Sequence, residues 1–291
     1  MDLRRLRLFL AVVDAGGFTA AAREVHVAQP AVSLAVRELE DELGAALLVR
    51  SRGGVVLTAA GEALVAPARQ ALRDVDTAAA AVAAVTGLVA GRLDVASLPT
   101  MAADPVADLV GAFRRLHPAV QVRLAAPNDP DEVAEAVRSG AVEVGVTEEG
   151  PANRSLREHP FVVQELLAVS PPGSATGTRP IALRSLAGHA LVLSPPGASL
   201  RATVDAAFQA VDLVPSVAVE SEQRDALVPL VLAGAGTSFL PAALARSAEG
   251  LGAVVRRTQP ALRRTVALVH RSGPLSPAAR AFLAGAGVDP S

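Results

Sequence analysis

Leu3, Leu6, Leu10 and Val13 recur at helical spacing and predict an amphipathic helix of about three turns, closed by Gly16-Gly17. Thr19 is placed as the N-cap of a second helix over 20–25, where Ala21 and Ala22 permit close packing. After His26-Val27-Ala28, Gln29-Pro30 opens a third helix running to about Leu43, because proline is at home in a first turn. Val32, Val36, Leu39 and Leu43 form its buried face, while Gln29, Ser33 and Arg37 lie four apart on the other. From Leu47 to Leu57 the pattern becomes two short strands around Gly53-Gly54, a hairpin with Arg50 and Arg52 on its rim. Thr58 then caps a helix to about Thr86, roughly 40 Å long, with Pro67 as a place to bend. Its stripe of Leu64, Ala68, Ala71, Leu72, Val75 and Ala79 needs a cover. A second copy of the chain is the economical cover; packing on its own domain is the alternative.

From Gly91 onward strands and helices alternate. Strand-like runs are 93–97, 120–125, 142–147, 166–170, 190–194, 217–220, 237–240 and 265–270, with helical patterns over 106–116, 130–138, 199–211 and 223–233. This order predicts parallel-rich α/β sheets, and two of them fit the remaining length. Open α/β sheets bind ligands beyond the carboxyl ends of their strands, where helix N-termini offer free N–H groups. Those ends carry Ser97, Pro99, Thr100, Thr147, the loop 194–199 that closes on Ser199, and Leu240-Pro241. Ser97, Thr100, Thr147 and Ser199 are expected to converge on one cleft suited to a small carboxylate or other polar metabolite. Each hydroxyl alone reads more readily as a plain helix cap; it is their convergence that favours a ligand site.

Composition narrows the chemistry. The 291 residues contain no cysteine, which excludes disulfides, thiolate metal sites and cysteine nucleophiles. They also contain no lysine: all 27 basic residues are arginine, so a P-loop lysine or a Schiff base is excluded. The five histidines are scattered, with no HxxxH or HExxH spacing for a metal. Glu148-Glu149 and Asp129, Asp131 and Glu132 read as solvated charges, and Gly234-Ala235-Gly236 precedes a strand, the wrong order for a dinucleotide site. No catalytic constellation or cofactor site is found. The richest apolar stretch, 77–90, is shorter than the roughly 18 residues a membrane span needs. With no signal-peptide core near the start, a cytoplasmic protein is expected.

The net charge of −2 does not announce a nucleic-acid partner, and residues 1–58 balance seven arginines against seven acids. The distribution matters more. Glu38, Glu40, Asp41 and Glu42 gather at the end of the third helix, leaving its start free to enter a major groove, where Gln, Ser and Arg reach base edges or phosphates. A basic hairpin after such a helix is a wing that meets phosphates or the minor groove.

Phe18-Thr19 with Ala20-Ala21, Gln29-Pro30-Ala31-Val32-Ser33, Leu39-Glu40, Leu43-Gly44, Leu47, Arg50 and Leu57-Thr58-Ala59-Ala60-Gly61 together resemble the LysR-type transcriptional regulators. The resemblance covers the whole N-terminal region in register. It implies a fold of a winged helix-turn-helix (1–58), a linker helix that pairs subunits (59–90) and a two-lobed, periplasmic-binding-protein-like α/β effector domain (91–291). Lobe 1 would hold about 91–161 and 266–291, and lobe 2 about 162–265. The implied partners are double-stranded promoter DNA, a small-molecule effector and further copies of the chain, as a dimer and as a tetramer built from two dimers. Gln29, Pro30, Ser33, Arg37, Arg50 and Arg52 fall where DNA contacts are expected, and 194–199 at the effector loop. The chain departs from the pattern at Ala28, which forgoes a cap of roughly 1 kcal/mol, and at Leu34, Ala35 and Val56, where polar residues are frequent. A periplasmic-type solute-binding protein and an enzyme on the α/β domain are the competing readings.

Overall fold

The computed structural model describes residues 1–51, 54–85, 89–177 and 179–289. Helix α1 (Leu3–Asp14) opens on Asp2, whose carboxylate accepts from the Arg4 amide at 3.0 Å. It packs Leu6, Phe9 and Val12 against α2 (Phe18–Glu24) and α3 (Gln29–Leu43). Thr19 is not the cap of α2: the helix begins two residues earlier than expected, at Phe18, with Gly17 at the cap and no side-chain bond. Pro30 sits in the first turn of α3, and Ala28 caps it without a side-chain bond. Val32, Val36 and Leu39 are buried as expected, but Leu43 is 42% exposed, because Leu47, at 2%, closes that end of the core.

Three of the four acids at the end of α3, Glu38, Glu40 and Glu42, have structural partners. Arg5 bridges Glu38 and Glu42, each at 3.1 Å. Glu40 Oε1 accepts from the amides of Leu47 (2.7 Å) and Leu48 (3.2 Å), fixing the entry to the hairpin. There β1 (Leu48–Ser51) pairs antiparallel with β2 (Gly54–Leu57). Thr58 Oγ1 accepts from the Gly61 amide at 3.0 Å and starts α4 (Ala59–Val85), a 27-residue helix that continues through Pro67. Its stripe is divided. Leu64, Val65, Ala68, Ala71 and Leu72 join the N-terminal core of their own chain, whereas Val75 and Val82 further along are exposed.

Beyond it come β3 (Gly91–Ser97), the single turn α5 (Pro99–Met101), α6 (Ala107–Leu116), β4 (Val120–Ala125), α7 (Pro130–Arg138) and β5 (Val144–Glu148). The chain then crosses on the 14-residue strand β6 (Arg157–Ser170). It builds β7 (Ile181–Ala182), α8 (Leu183–Leu186), β8 (Leu191–Leu193), α9 (Ser199–Gln209), β9 (Val217–Glu220) and α10 (Leu227–Leu232). Then follow β10 (Ser238–Pro241), α11 (Ala242–Gly250), β11 (Val254–Arg256), β12 (Thr258–Gln259), β13 (Leu262–His270), which returns, and α12 (Pro277–Gly285).

Two separate parallel-rich sheets were expected; the main sheet is instead one mixed sheet in the order β10-β6-β13-β5-β3-β4, with β11 also on β6. Among the described residues, parallel pairing joins β3 to β4 and β5, β8 to β9 and β7 to β12, with one isolated parallel bridge between Leu191 and Thr237. The reason is the antiparallel pair β6–β13, which runs through both halves. One apolar core gathers Leu93 to Val146 with Val266 to Val288, and another gathers Leu166 to Leu262. Between them, at the cross-strand pair Arg264–Gln164, the strands turn polar.

Candidate functional site

On α3, Pro30 and Arg37 are exposed, and Gln29 and Ser33 are half-buried with Gln29 Nε2 donating to Ser33 Oγ at 2.7 Å. Arg37 has no ion-pair partner among the described residues. It does not pair with Glu40 three residues on, since that carboxylate faces the Leu47 and Leu48 amides. Leu34, 55% exposed, occupies the same surface. The hairpin leans on the α1–α2 turn, with the Val55 amide donating to the Gly16 carbonyl at 3.3 Å. Arg50 stands in β1 opposite Val55; Arg52 lies outside the described residues. The helix start and the hairpin thus share one domain built on one core, while the acids are tied to the far end of α3.

The second region lies between the two α/β cores. Ser97, Pro99 and Thr100 follow β3, Thr147 lies in β5, and Ser199 opens α9. Thr100 and Ser199 do meet, through a residue the sequence reading overlooked. Arg264 on β13, its side chain 3% exposed, donates from Nη2 to Thr100 Oγ1 at 2.8 Å and from Nη1 to Ser199 Oγ at 2.9 Å. It also donates from Nε and Nη2 to Gln164 Oε1 at 2.8 and 2.6 Å, and from Nη1 to Glu148 Oε1 at 3.0 Å. Ser199 Oγ donates in turn to Glu148 Oε1 at 2.6 Å, and Gln164 Nε2 to the Asp104 carbonyl at 2.5 Å. Ser97 is turned to the neighbouring Leu98 carbonyl at 3.1 Å, and Thr147 Oγ1 is buried without a partner among the described residues. Glu148 is therefore not the solvated charge expected; it closes this network at the end of β5. Burial pushes the Arg264 guanidinium below its ordinary pKa, and the Glu148 carboxylate opposes that shift.

The network joins both halves. Thr100 and Glu148 come from the first core's strand ends, Ser199 from a helix of the second, and Gln164 and Arg264 from the crossing strands. A guanidinium has five N–H donors in a fixed fork, and here the five bonds to Gln164, Glu148, Ser199 and Thr100 engage it fully. Arg264 was legible in principle: on β13 the parity Leu262, Arg264, Val266, Leu268 points inward.

Two further contacts tie the regions together. Arg69 on α4 pairs with Asp14 at the end of α1 and donates to Ser139 Oγ at 3.3 Å, and Arg73 donates to the Gly140 carbonyl. Burial, with repulsion from Arg271, pushes Arg73 down to about 10. The histidines, scattered in sequence, are not all apart in space: His159 Nε2 and His270 Nε2 lie 3.1 Å apart with stacked rings. Among the described residues no three His, Cys, Asp or Glu side chains gather as a metal site, and no helix is long and apolar enough to cross a membrane.

Comparison with known proteins covers nearly the whole chain. Residues 3–62 match the family model "Bacterial regulatory helix-turn-helix protein, lysR family", and residues 86–286 match "LysR substrate binding domain". The nitrogen assimilation regulatory protein nac of Klebsiella aerogenes is 31% identical over 97% of this chain and 92% of that protein. The HTH-type transcriptional regulator TfdS of Cupriavidus pinatubonensis is 30% identical over 97% of each. Among solved structures, a full-length OxyR variant from Pseudomonas aeruginosa superposes with a TM-score of 0.77 at 26% identity, covering 99% of this chain and 94% of that one. CbnR, a LysR family transcriptional regulator, gives 0.69 at 25% identity over 99% and 98%; it has also been solved full-length in complex with its target DNA, with the same TM-score.

Proposed function

The chain belongs to the LysR family of transcriptional regulators, and from that premise we propose how its own residues divide the work. The start of α3 enters the major groove of promoter DNA, with Gln29, Pro30 and Ser33 nearest the bases and Arg37 on the phosphates. Arg50 and Arg52 of the hairpin hold the adjacent backbone. The carrying observation is the polarity of α3: an exposed Arg37 without an ion-pair partner among the described residues, on the face of Gln29 and Ser33, with Glu38, Glu40 and Glu42 engaged elsewhere. That polarity lets a domain of zero net charge approach phosphate. CbnR, 25% identical to this chain, has been solved in complex with its target DNA.

Two copies associate along α4, where Val75 and Val82 are left uncovered by their own chain. The cleft between the two α/β cores takes a small polar effector, and the protein works in the cytoplasm as a binding protein rather than an enzyme. Four of the residues around the Arg264 network are the kind that orient a polar ligand at strand ends: Thr100, Thr147, Glu148 and Ser199. With Leu34 and Ala35 on the exposed helix, few direct base contacts are available, and DNA shape carries part of the specificity. The test is binding of the full-length protein to duplex DNA from upstream of its own reading frame, across a salt series. Binding that weakens steeply with salt is expected; absence of any shift at low salt overturns the reading.

A further inference from the structure

We infer that Glu148 is a built-in competitor for a carboxylate effector, occupying on Arg264 and Ser199 the place that the effector's carboxylate takes when it binds. The inference rests on the reading of the cleft between the cores as the effector site, and deepens it by naming the ligand class and how its arrival is felt.

Three observations carry it. Arg264 is nearly sealed, at 3% side-chain exposure, while Glu148 is 21% exposed and so covers the guanidinium from the solvent side. Glu148 is the only carboxylate that hydrogen-bonds Arg264 among the described residues, and one of its oxygens, Oε1, receives both the Arg264 Nη1–H at 3.0 Å and the Ser199 hydroxyl at 2.6 Å. Every N–H of Arg264 is already engaged, so no donor remains for an additional anion. An external anion can therefore reach Arg264 only by exchange. The partner that can leave is the one on the rim, because Thr100, Gln164 and Ser199 are buried and fixed by their own elements.

The exchange has a chemical selectivity and a mechanical result. A buried guanidinium stripped of its counter-charge is strongly disfavoured, so Glu148 yields to another anion and not to a neutral ligand. A carboxylate can place one oxygen where the Arg264 Nη1–H and the Ser199 hydroxyl already converge, and keeps the negative charge there. Glu148 belongs to β5 and Ser199 to α9, so its release removes a bond that ties the first core to the second. The incoming ligand becomes the new tie, and the two halves are held by the effector instead of by the chain.

The test uses full-length Glu148→Ala and Glu148→Gln with sodium propionate, which reproduces the glutamate side chain beyond Cα, against sodium chloride at equal ionic strength. Thermal midpoint and duplex-DNA binding are read together. Propionate is expected to raise the midpoint of Glu148→Ala saturably, with half-saturation at least tenfold below that of wild type, and adding Ser199→Ala should weaken this response. If Glu148→Ala does not fold, Glu148→Gln, which keeps the shape and lacks the charge, gives the same comparison with the same expected shift. Equal responses of variant and wild type, or none beyond chloride, overturn the inference. A wild type that still binds DNA under those conditions leaves the regulator reading standing. A neutral metabolite that stabilises wild type and Glu148→Gln alike would keep the effector site and remove the exchange.

Discussion

Arg73 of the connecting helix α4 donates a hydrogen bond to the backbone carbonyl of Gly140, at the end of α7 in the first α/β core. One turn earlier Arg69 holds Asp14 of α1, so two arginines on one helix grip the N-terminal domain and the effector domain together. The cation sits at the carboxyl end of α7, where the helix dipole favours positive charge. Gly140 is left-handed at φ +72, and a Cβ there would lie 2.3 Å from both Arg271 Nη1 and Arg73 Nη2. Gly140→Ala is expected to destabilise the protein by about 1–2 kcal/mol from the left-handed backbone alone, read by chemical denaturation. It should also weaken the effector's influence on DNA affinity while DNA binding persists; a variant with unchanged stability and coupling would show that this contact carries neither.

Gly61 makes the opposite kind of demand, for space. It lies in α4, where a Cβ would stand 2.1 Å from the Leu47 carbonyl oxygen and 2.8 Å from Leu57 Cδ2. Alanine is the better helix former by about 1 kcal/mol, but the nearer obstacle is backbone at the entry to the hairpin, and overpacking costs about 1–3 kcal/mol. Gly61→Ala should lower the melting temperature and displace the hairpin, reducing DNA affinity. A gain in stability would mean that the hairpin yields easily.

Arg37 stands eight residues after Gln29, roughly 12 Å along α3, a distance from the helix start that fits the phosphate contact proposed for it. Arg37→Ala is expected to weaken binding to all duplexes alike and to reduce the slope of log K against log salt by about 0.9. Ser33→Ala should leave that slope unchanged and narrow the difference between operator and unrelated DNA. Loss of sequence preference in Arg37→Ala with an unchanged slope would reassign it to base reading.

How much of this was legible in the sequence follows from the range of each interaction. The helix-turn-helix was visible because its determinants are local: the spacing of Val32, Val36 and Leu39, Pro30 in a first turn, and Thr58 capping α4. Leu43 and Thr19 missed their predicted roles because a residue elsewhere (Leu47) filled the core end and Phe18 began the helix two residues early. The mixed sheet was hidden because the first half of β6 carries Glu158, His159 and Pro160, which do not read as a strand, and its partners come from β13 a hundred residues on. Glu148 looked solvated beside Glu149 and Gly150; only the pairing of β5 with β13 brings Arg264 to it.

His270 and His159 give the pH dependence. His270 is 4% exposed, its Nδ1 lies 2.8 Å from the Arg271 carbonyl and its Nε2 3.1 Å from His159 Nε2. A carbonyl only accepts, so Nδ1 carries the proton of neutral His270, and Nε2 accepts from His159. Burial pushes the His270 pKa below its ordinary value; the bond to the Arg271 carbonyl raises it, and the charges of His159 and Arg157 lower it further. The folded state therefore binds the proton less readily than the unfolded chain, whose imidazole titrates near about 6.5. Stability from this site is complete above that value and is lost as the pH falls through the folded pKa, because the unfolded state takes up the extra proton. The melting temperature should drop between pH 7 and pH 5, and the drop should be shallower in His270→Gln, which cannot take up that proton. Identical slopes for the two proteins would assign the acid sensitivity to the carboxylates and leave the histidine pair without a part in it.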